Sequence, residues 1–391
     1  MSSTRPVLRA FVCGLAIVTI VANLVPPVEF AAAVRAGRAP LTPGIIGLML
    51  LLVLAPLSAA GLALVLAWRS WARDDARVLA VFLGLLSYAL GGEGTWMMLR
   101  KSGLPDWAVS MLDTGMPLAS VAGMAVMIRF SGIFPRPLLP SDVRPGASRF
   151  GRVVAGAQAW AMDPARLRSA AAWVCGVGIV VPQAVSIGTA LRGDEIDLVI
   201  VSKYLVLAAL LAAVALSAAN LRTNYRQADA AGRRQVFWVL EGFLFATAVA
   251  VLASALKLLQ NATGYQAAQV HWYAFALLAA FLGLLACLAI ALFGAGALDP
   301  SLALRRTAVS GVLGLLAVVL FAVSEQVMQE WLGARLGLSA RTNGIVTGVA
   351  LGLAFEPLRT RTSALVERQL ARFGAEAEAP ATPVPAGAVP A

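Results

Sequence analysis

The chain has 391 residues, of which 60% are apolar and only 13% charged, and its formal net charge is +11. Soluble domains carry about 25% charged residues, so this composition cannot cover a water-facing surface, and a soluble protein is excluded. The basic excess, 31 Lys and Arg against 20 Asp and Glu, fits loops that set orientation and meet the anionic lipid of a bilayer, and nucleic acid is not an expected partner.

Runs of about 20 apolar residues cross a bilayer as helices, and ten are predicted: 8–28, 45–67, 78–99, 107–128, 170–191, 201–221, 236–257, 272–294, 307–332 and 342–358. The expected fold is therefore all-α, a polytopic transmembrane helical bundle of about ten spans. With the N-terminus inside, about 22 of the Lys and Arg fall on the cytoplasmic side and about 9 on the outer side, the asymmetry that sets orientation. Both termini are then cytoplasmic. Arg5, Arg9 and the following run also have the form of a signal peptide, with "FAAAV" at 30–34 as a cleavage site. Pro26-Pro27 interrupt the end of this first span.

The regions follow from the spans. Residues 1–130 form a four-span membrane region and 131–169 a basic, Pro/Gly-rich cytoplasmic connection. Residues 170–358 form a six-span region, 359–373 an amphipathic stalk helix, and 374–391 an Ala/Pro/Glu tail whose composition predicts disorder. Asp163-Pro164 and Asp299-Pro300 both have the form of a helix start, with Asp as cap and Pro in the first turn.

Ionisable groups at membrane depth are costly and point to function. Glu93, Asp113, Gln183, Glu325 and Gln326 fall in the outer halves of their predicted spans, with His271 just beyond. Together they outline a candidate outer polar pocket for a small molecule or a proton, with Pro182 freeing backbone carbonyls beside Gln183. The alternative is that each is paired or wetted near an interface. Gly344, Gly348 and Gly352 form a small-residue stripe on the last span, suited to packing within the bundle or to a homodimer.

Catalytic signatures are missing: the sequence has no phosphate loop, no H-E-x-x-H and no G-x-S-x-G. Cys13, Cys175 and Cys287 lie in apolar runs without C-x-x-C spacing, and His271 is the single histidine. Neither metal nor cofactor is expected, and the chain is read as non-enzymatic.

Four stretches carry a family resemblance: "RFSGIFPRPL" (129–138), "LRTNYRQADAAGRRQVFWVLEGF" (221–243), "FGAGALDPSLALRRTAVSGVL" (293–313) and "LAFEPLRTRTSALVERQLARF" (353–373). Over about residues 120–373 the chain resembles the multi-pass membrane sensor region of bacterial histidine kinases, in which a helix ending F-x-P-L-R continues into a basic stalk. That resemblance implies a bacterial inner-membrane protein of a two-component system. It departs from the family in two ways. No histidine follows His271 to accept a phosphoryl group, and no Gly-rich nucleotide segment follows the stalk. The expectation is thus the input half alone, passing a ligand or membrane signal to a separate histidine kinase, phosphatase or response regulator.

Leu358, Thr362, Val366 and Leu370 recur every four residues, with Phe373 three further on, while Arg359, Arg361 and Arg368 lie largely off that face. The pattern suits a helix docking on a partner, and equally a basic helix lying on the inner leaflet. The competing functions are a proton-coupled secondary transporter and a structural subunit of an envelope complex.

Overall fold

The computed structural model describes residues 4–37, 43–92, 103–143, 148–190, 199–263 and 271–294. Every regular element among them is helical. The order is α1 (Thr4–Ala22), α2 (Val25–Arg35), α3 (Pro43–Arg69), α4 (Asp74–Leu90), α5 (Asp106–Asp113), α6 (Gly115–Ile133), α7 (Arg149–Ala161), α8 (Pro164–Cys175), α9 (Val181–Ala190), α10 (Val199–Gln227), α11 (Ala230–Thr263) and α12 (His271–Ala289). Four apolar helical stretches among the described residues are long enough to cross a membrane: Arg5–Arg35, Met49–Arg69, Gly115–Ile133 and Pro164–Thr189.

Several predicted boundaries shift, each for a local reason. The first span runs to Arg35 rather than to 28, turning once at Asn23-Leu24. Pro26 and Pro27 lack N–H groups, so they interrupt the ladder but fit the first turn of α2. The predicted span 107–128 divides at Thr114 into α5 and α6, because Pro117 has no N–H for the carbonyl of Asp113. The connection 131–169 contains a helix, α7, whose N-cap Ser148 accepts a hydrogen bond from the Gly151 N–H at 2.9 Å.

α8 starts at Pro164, with Asp163 accepting from the Ala165 N–H at 2.9 Å, as the Asp-Pro signature predicts. A π turn over Gly176–Val180 joins α8 to α9. Pro182 would crowd the carbonyl four residues back, and the wider turn relieves that clash. The basic residues 222–234, predicted as a loop between spans, are mostly helical, since only Ala228 and Asp229 separate α10 from α11.

The helices pack through small residues. Ala55, Ala59 and Ala63 of α3 are all fully buried at four-residue spacing, which lets neighbouring backbones approach closely. Around them Val12, Leu51, Leu79, Leu83, Phe130, Val236 and Leu288 fill one continuous core. Gly84 sits against Val12, and Thr19 meets Ser87, so α1 and α4 run parallel. Gly115 against Tyr88 and Gly123 against Leu85 set α6 antiparallel to α4, and Gly242 against Cys287 sets α12 antiparallel to α11.

The outer face is apolar. Trp173 is 69% exposed, and Val177, Val180, Val181 and Val185 continue its stripe along α8 and α9. A stripe of that kind at helical spacing suits lipid better than water. The three cysteines are unpaired and partly buried.

Helix directions gather the arginines at one end. Arg9 of α1 stacks over Trp68 near the end of α3, 5.8 Å from the ring centroid, and the end of α6 meets the end of α10. Arg69, Arg73, Arg77, Arg136, Arg222, Arg226, Arg233 and Arg234 lie at the same end.

Candidate functional site

At that basic end, two stretches about 90 residues apart interlock. α6 stops because Pro135 and Pro137 cannot donate to the carbonyls four residues before them, which orphans the carbonyl of Ser131. Asn224 of α10 supplies the missing donor. Its Nδ2 donates to the Ser131 carbonyl at 3.1 Å and to the Phe134 carbonyl at 2.8 Å. One amide thus caps the end of another helix. The Leu138 N–H takes the Gly132 carbonyl at 2.9 Å.

One turn earlier, Asn220 Nδ2 donates to Ser131 Oγ at 3.2 Å and approaches the Ile128 carbonyl at 3.5 Å. Ser131 Oγ itself donates to Ile128 O at 2.7 Å. Gln158 of α7 then donates to Asn220 Oδ1 at 3.2 Å, with Thr223 Oγ1 at 3.4 Å. Ser131, Asn224, Asn220 and Gln158 are all buried, and Phe130 and Phe134 stack at 5.0 Å beside them. In low dielectric such a network binds strongly when satisfied and is costly when broken. Asn224 Oδ1 and Ser217 Oγ are buried without a hydrogen-bond partner among the described residues.

A charged rim covers this cluster. Arg136 bonds Gln227 Oε1 and lies 3.6 Å from Asp142 Oδ2. Gln227 Nε2 donates to the Asp142 carbonyl at 3.2 Å, and Asp142 Oδ2 accepts from the Leu139 N–H at 3.0 Å. Across the short turn, Asp229 Oδ1 accepts from the Gly232 N–H at 2.8 Å, and Arg233 Nε donates to the Ala228 carbonyl at 2.9 Å. A Cβ on Gly232 would approach Pro135 to 3.2 Å, so α11 begins directly against the turn that follows α6.

The buried part of this cluster is made of carboxamides, hydroxyls and carbonyls. It contains no ionisable group and no nucleophile with a base beside it. What it can do is hold three helices, α6, α7 and α10, in one relative position.

The opposite end has a smaller polar contact. Ser87 Oγ approaches Thr19 Oγ1 at 3.4 Å, and Asn23 Nδ2 donates to the Thr19 carbonyl at 2.8 Å. A Cβ at Gly91 would stand 2.5 Å from Asn23 Nδ2, so any larger residue there displaces the Asn23 amide.

No family model, curated protein or solved structure matches this chain.

Of the predicted pocket residues, Asp113 closes α5, Gln183 lies half-buried in the first turn of α9, and His271 opens α12. α5 and α9 pack against each other, so the helices carrying Asp113 and Gln183 are neighbours at the end away from the arginine cluster. Glu93, Glu325, Gln326, the glycines 344, 348 and 352, and the stalk with Arg359, Arg361, Val366, Arg368, Leu370 and Phe373 lie outside the described residues. Among the described residues no group of three or more His, Cys, Asp or Glu is placed to hold a metal ion.

The amide cluster is what the sequence reading missed. Its signal is present in "SAANLRTNYRQ" (217–227), where Ser217, Asn220, Asn224 and Gln227 recur at helical spacing on an apolar helix. Such a stripe is easily read as the polar end of a span, although a buried amide without partners also costs several kcal/mol, roughly 2–7.

Proposed function

We propose that this is a non-enzymatic membrane signalling protein that detects a small molecule or a membrane state. It passes the change from its basic end to a separate cytoplasmic partner, a histidine kinase, phosphatase or response regulator. The proposal includes ten spans, both termini cytoplasmic and a bacterial inner membrane, since the positive-inside rule assigns the arginine-rich end to the cytoplasm.

One observation carries this reading. Stretches 129–138 and 221–243, which bear the resemblance to sensor-kinase input regions, lock onto each other through Asn224, which donates to the Ser131 and Phe134 carbonyls. Asn220, one residue before the second stretch, adds a bond to Ser131 Oγ. A movement of α10 must therefore move the turn after α6 and the start of α11, and these meet the cytoplasm. Signalling further requires that a ligand favour one helix arrangement over another, and the helices that carry Asp113 and Gln183 are neighbours at the other end.

The transporter reading needs carboxylates that load and release a proton at depth. The buried polar groups of the described residues are hydroxyls and carboxamides, which carry none, so that reading rests on Glu93, Asp113 and Glu325. The structural-subunit reading rests on the tail and the glycine stripe.

A crosslinking pull-down from native membranes tests the proposal, comparing the full chain with one ended after Phe355. The expected result is a kinase, phosphatase or response regulator recovered only with residues 356–391 present. Recovery of no signalling protein by either form overturns the proposal, and proton-driven uptake, with Glu93→Gln and Glu325→Gln as controls, becomes the next measurement.

A further inference from the structure

Helix α7 is built with its faces reversed for a helix in water. Gln158 is on the side packed against α10, with Ala155 and Ala161, and is 5% exposed. The opposite side carries Arg149, Arg152, Val153, Gly156 and Trp160, all exposed, with Val153 at 66% and Trp160 at 40%. At 100° per residue these five positions fall within a single stripe. A soluble helix would turn Val and Trp inward and Gln outward.

The placement of α7 agrees with that pattern. It lies between Gly115–Ile133 and Pro164–Thr189, two stretches long and apolar enough to cross a bilayer. It packs on the last two turns of α10 through Gln158, Asn220 and Thr223, so it lies at the level where helices leave the bilayer. Four arginines lie on α7 or on the helices before and after it, Arg129 on α6, Arg149 and Arg152 on α7, and Arg168 on α8. All are exposed, and none has an ion pair among the described residues. The nearby acids are already engaged, Asp142 with Arg136 and Asp163 with Arg166 at 3.2 Å.

We infer that α7 is an interfacial helix that binds the headgroups of anionic phospholipids. Arg149 and Arg152 meet the phosphates, and Val153 and Trp160 enter the boundary with the acyl chains, the arrangement expected of a helix lying in the plane of the membrane. The guanidinium groups supply charge-assisted donors to phosphate oxygens. Because Gln158 ties the back of α7 to Asn220, lipid bound on one face bears on the amide cluster through the other. This inference goes beyond the signalling proposal, and its readout is bound lipid rather than a captured partner, so either can fail alone.

The test is native mass spectrometry of the purified full-length chain titrated with phosphatidylglycerol or phosphatidylcholine, alongside Arg149→Gln/Arg152→Gln and the control Arg166→Gln. Phosphatidylglycerol is expected to be retained preferentially, with roughly 30-fold weaker binding in the double variant, from the attraction of two cations to an anionic surface. Arg166→Gln should bind as the parent does. Equal retention of both lipids, or a double variant that keeps phosphatidylglycerol, overturns the inference. So does displacement of the lipid by millimolar inorganic phosphate, which would mean a free-anion site. Both altered arginines are exposed, so folding is expected to survive, and hydrogen exchange across 149–161 in nanodiscs gives a second measure. Protection should rise with phosphatidylglycerol in the parent and stay flat in the double variant. No rise in the parent counts against the inference.

Discussion

Asn224 makes two hydrogen bonds at the end of α6, one of them to the Ser131 carbonyl that Pro135 leaves without its ordinary donor, and its side chain is fully buried. Replacing it by Ala leaves two carbonyls unpaired, and leaving a buried group unsatisfied costs about 1–3 kcal/mol. Asn224→Asp should be worse than Asn224→Ala, because it sets an acceptor against two other acceptors. Thermal unfolding in detergent checks this order, and a stability for Asn224→Asp equal to that of the parent would remove the capping role. The same residue shows the limit of the sequence. Pro135 and Pro137 announce that α6 ends near Ile133, and Asn224 is visible as a polar residue on an apolar helix. Nothing in the order of residues says that one answers the other across about 90 positions.

At the scale of helices, contact spacing decides which substitutions are tolerated. A Cβ at Gly242 of α11 would stand 2.6 Å from Cys287 Cβ of α12, whereas one at Gly156 of α7 meets nothing within 4 Å. Gly242→Ala should push two core helices apart and cost about 1–3 kcal/mol. Gly156→Ala should stabilise by about 0.4–1 kcal/mol, through the lost freedom of the unfolded chain. Chemical denaturation in mixed micelles compares the two, and a neutral Gly242→Ala would show that the helices separate freely. Helices as such were legible from apolar length. α3 spans Pro43–Arg69 where 45–67 was expected, and α12 starts at His271 where 272 was expected. The breaks at Asn23 and Thr114 were less so, since proline permits both a kink and a restart and only packing selects one. α7 was hidden because its 13 residues are too short to cross a bilayer and sit in a connection rich in Pro, Gly and Arg.

For the whole molecule, orientation follows from where the arginines gather. In a background lacking Cys13, Cys175 and Cys287, Arg152→Cys and Arg226→Cys should react with an impermeant maleimide only in inside-out vesicles. Ala36→Cys and Leu104→Cys should react only in right-side-out vesicles. The reverse pattern would place the arginine-rich end outside and remove the cytoplasmic partner from consideration. The all-helical membrane class was evident from composition, because 13% charged residues cannot clothe a soluble surface. The outer polar pocket was not testable at the same level. It depends on which helices become neighbours, and of its members only Asp113 and Gln183 are seen on adjoining elements.

Among the described residues, two polar contacts between parallel helices sit at opposite levels. Thr19 and Ser87 meet between α1 and α4 at the end away from the arginines, while Asn220 and Ser131 fasten α6 to α10 beside them. Between these pairs, antiparallel helices approach closely at glycines, Gly115 against Tyr88 and Gly123 against Leu85, and such packing resists separation more than sliding. A bundle riveted in this way has two pivots, one high and one low. Its easiest distortion is a scissor motion in which opening at one face of the membrane turns into closing at the other.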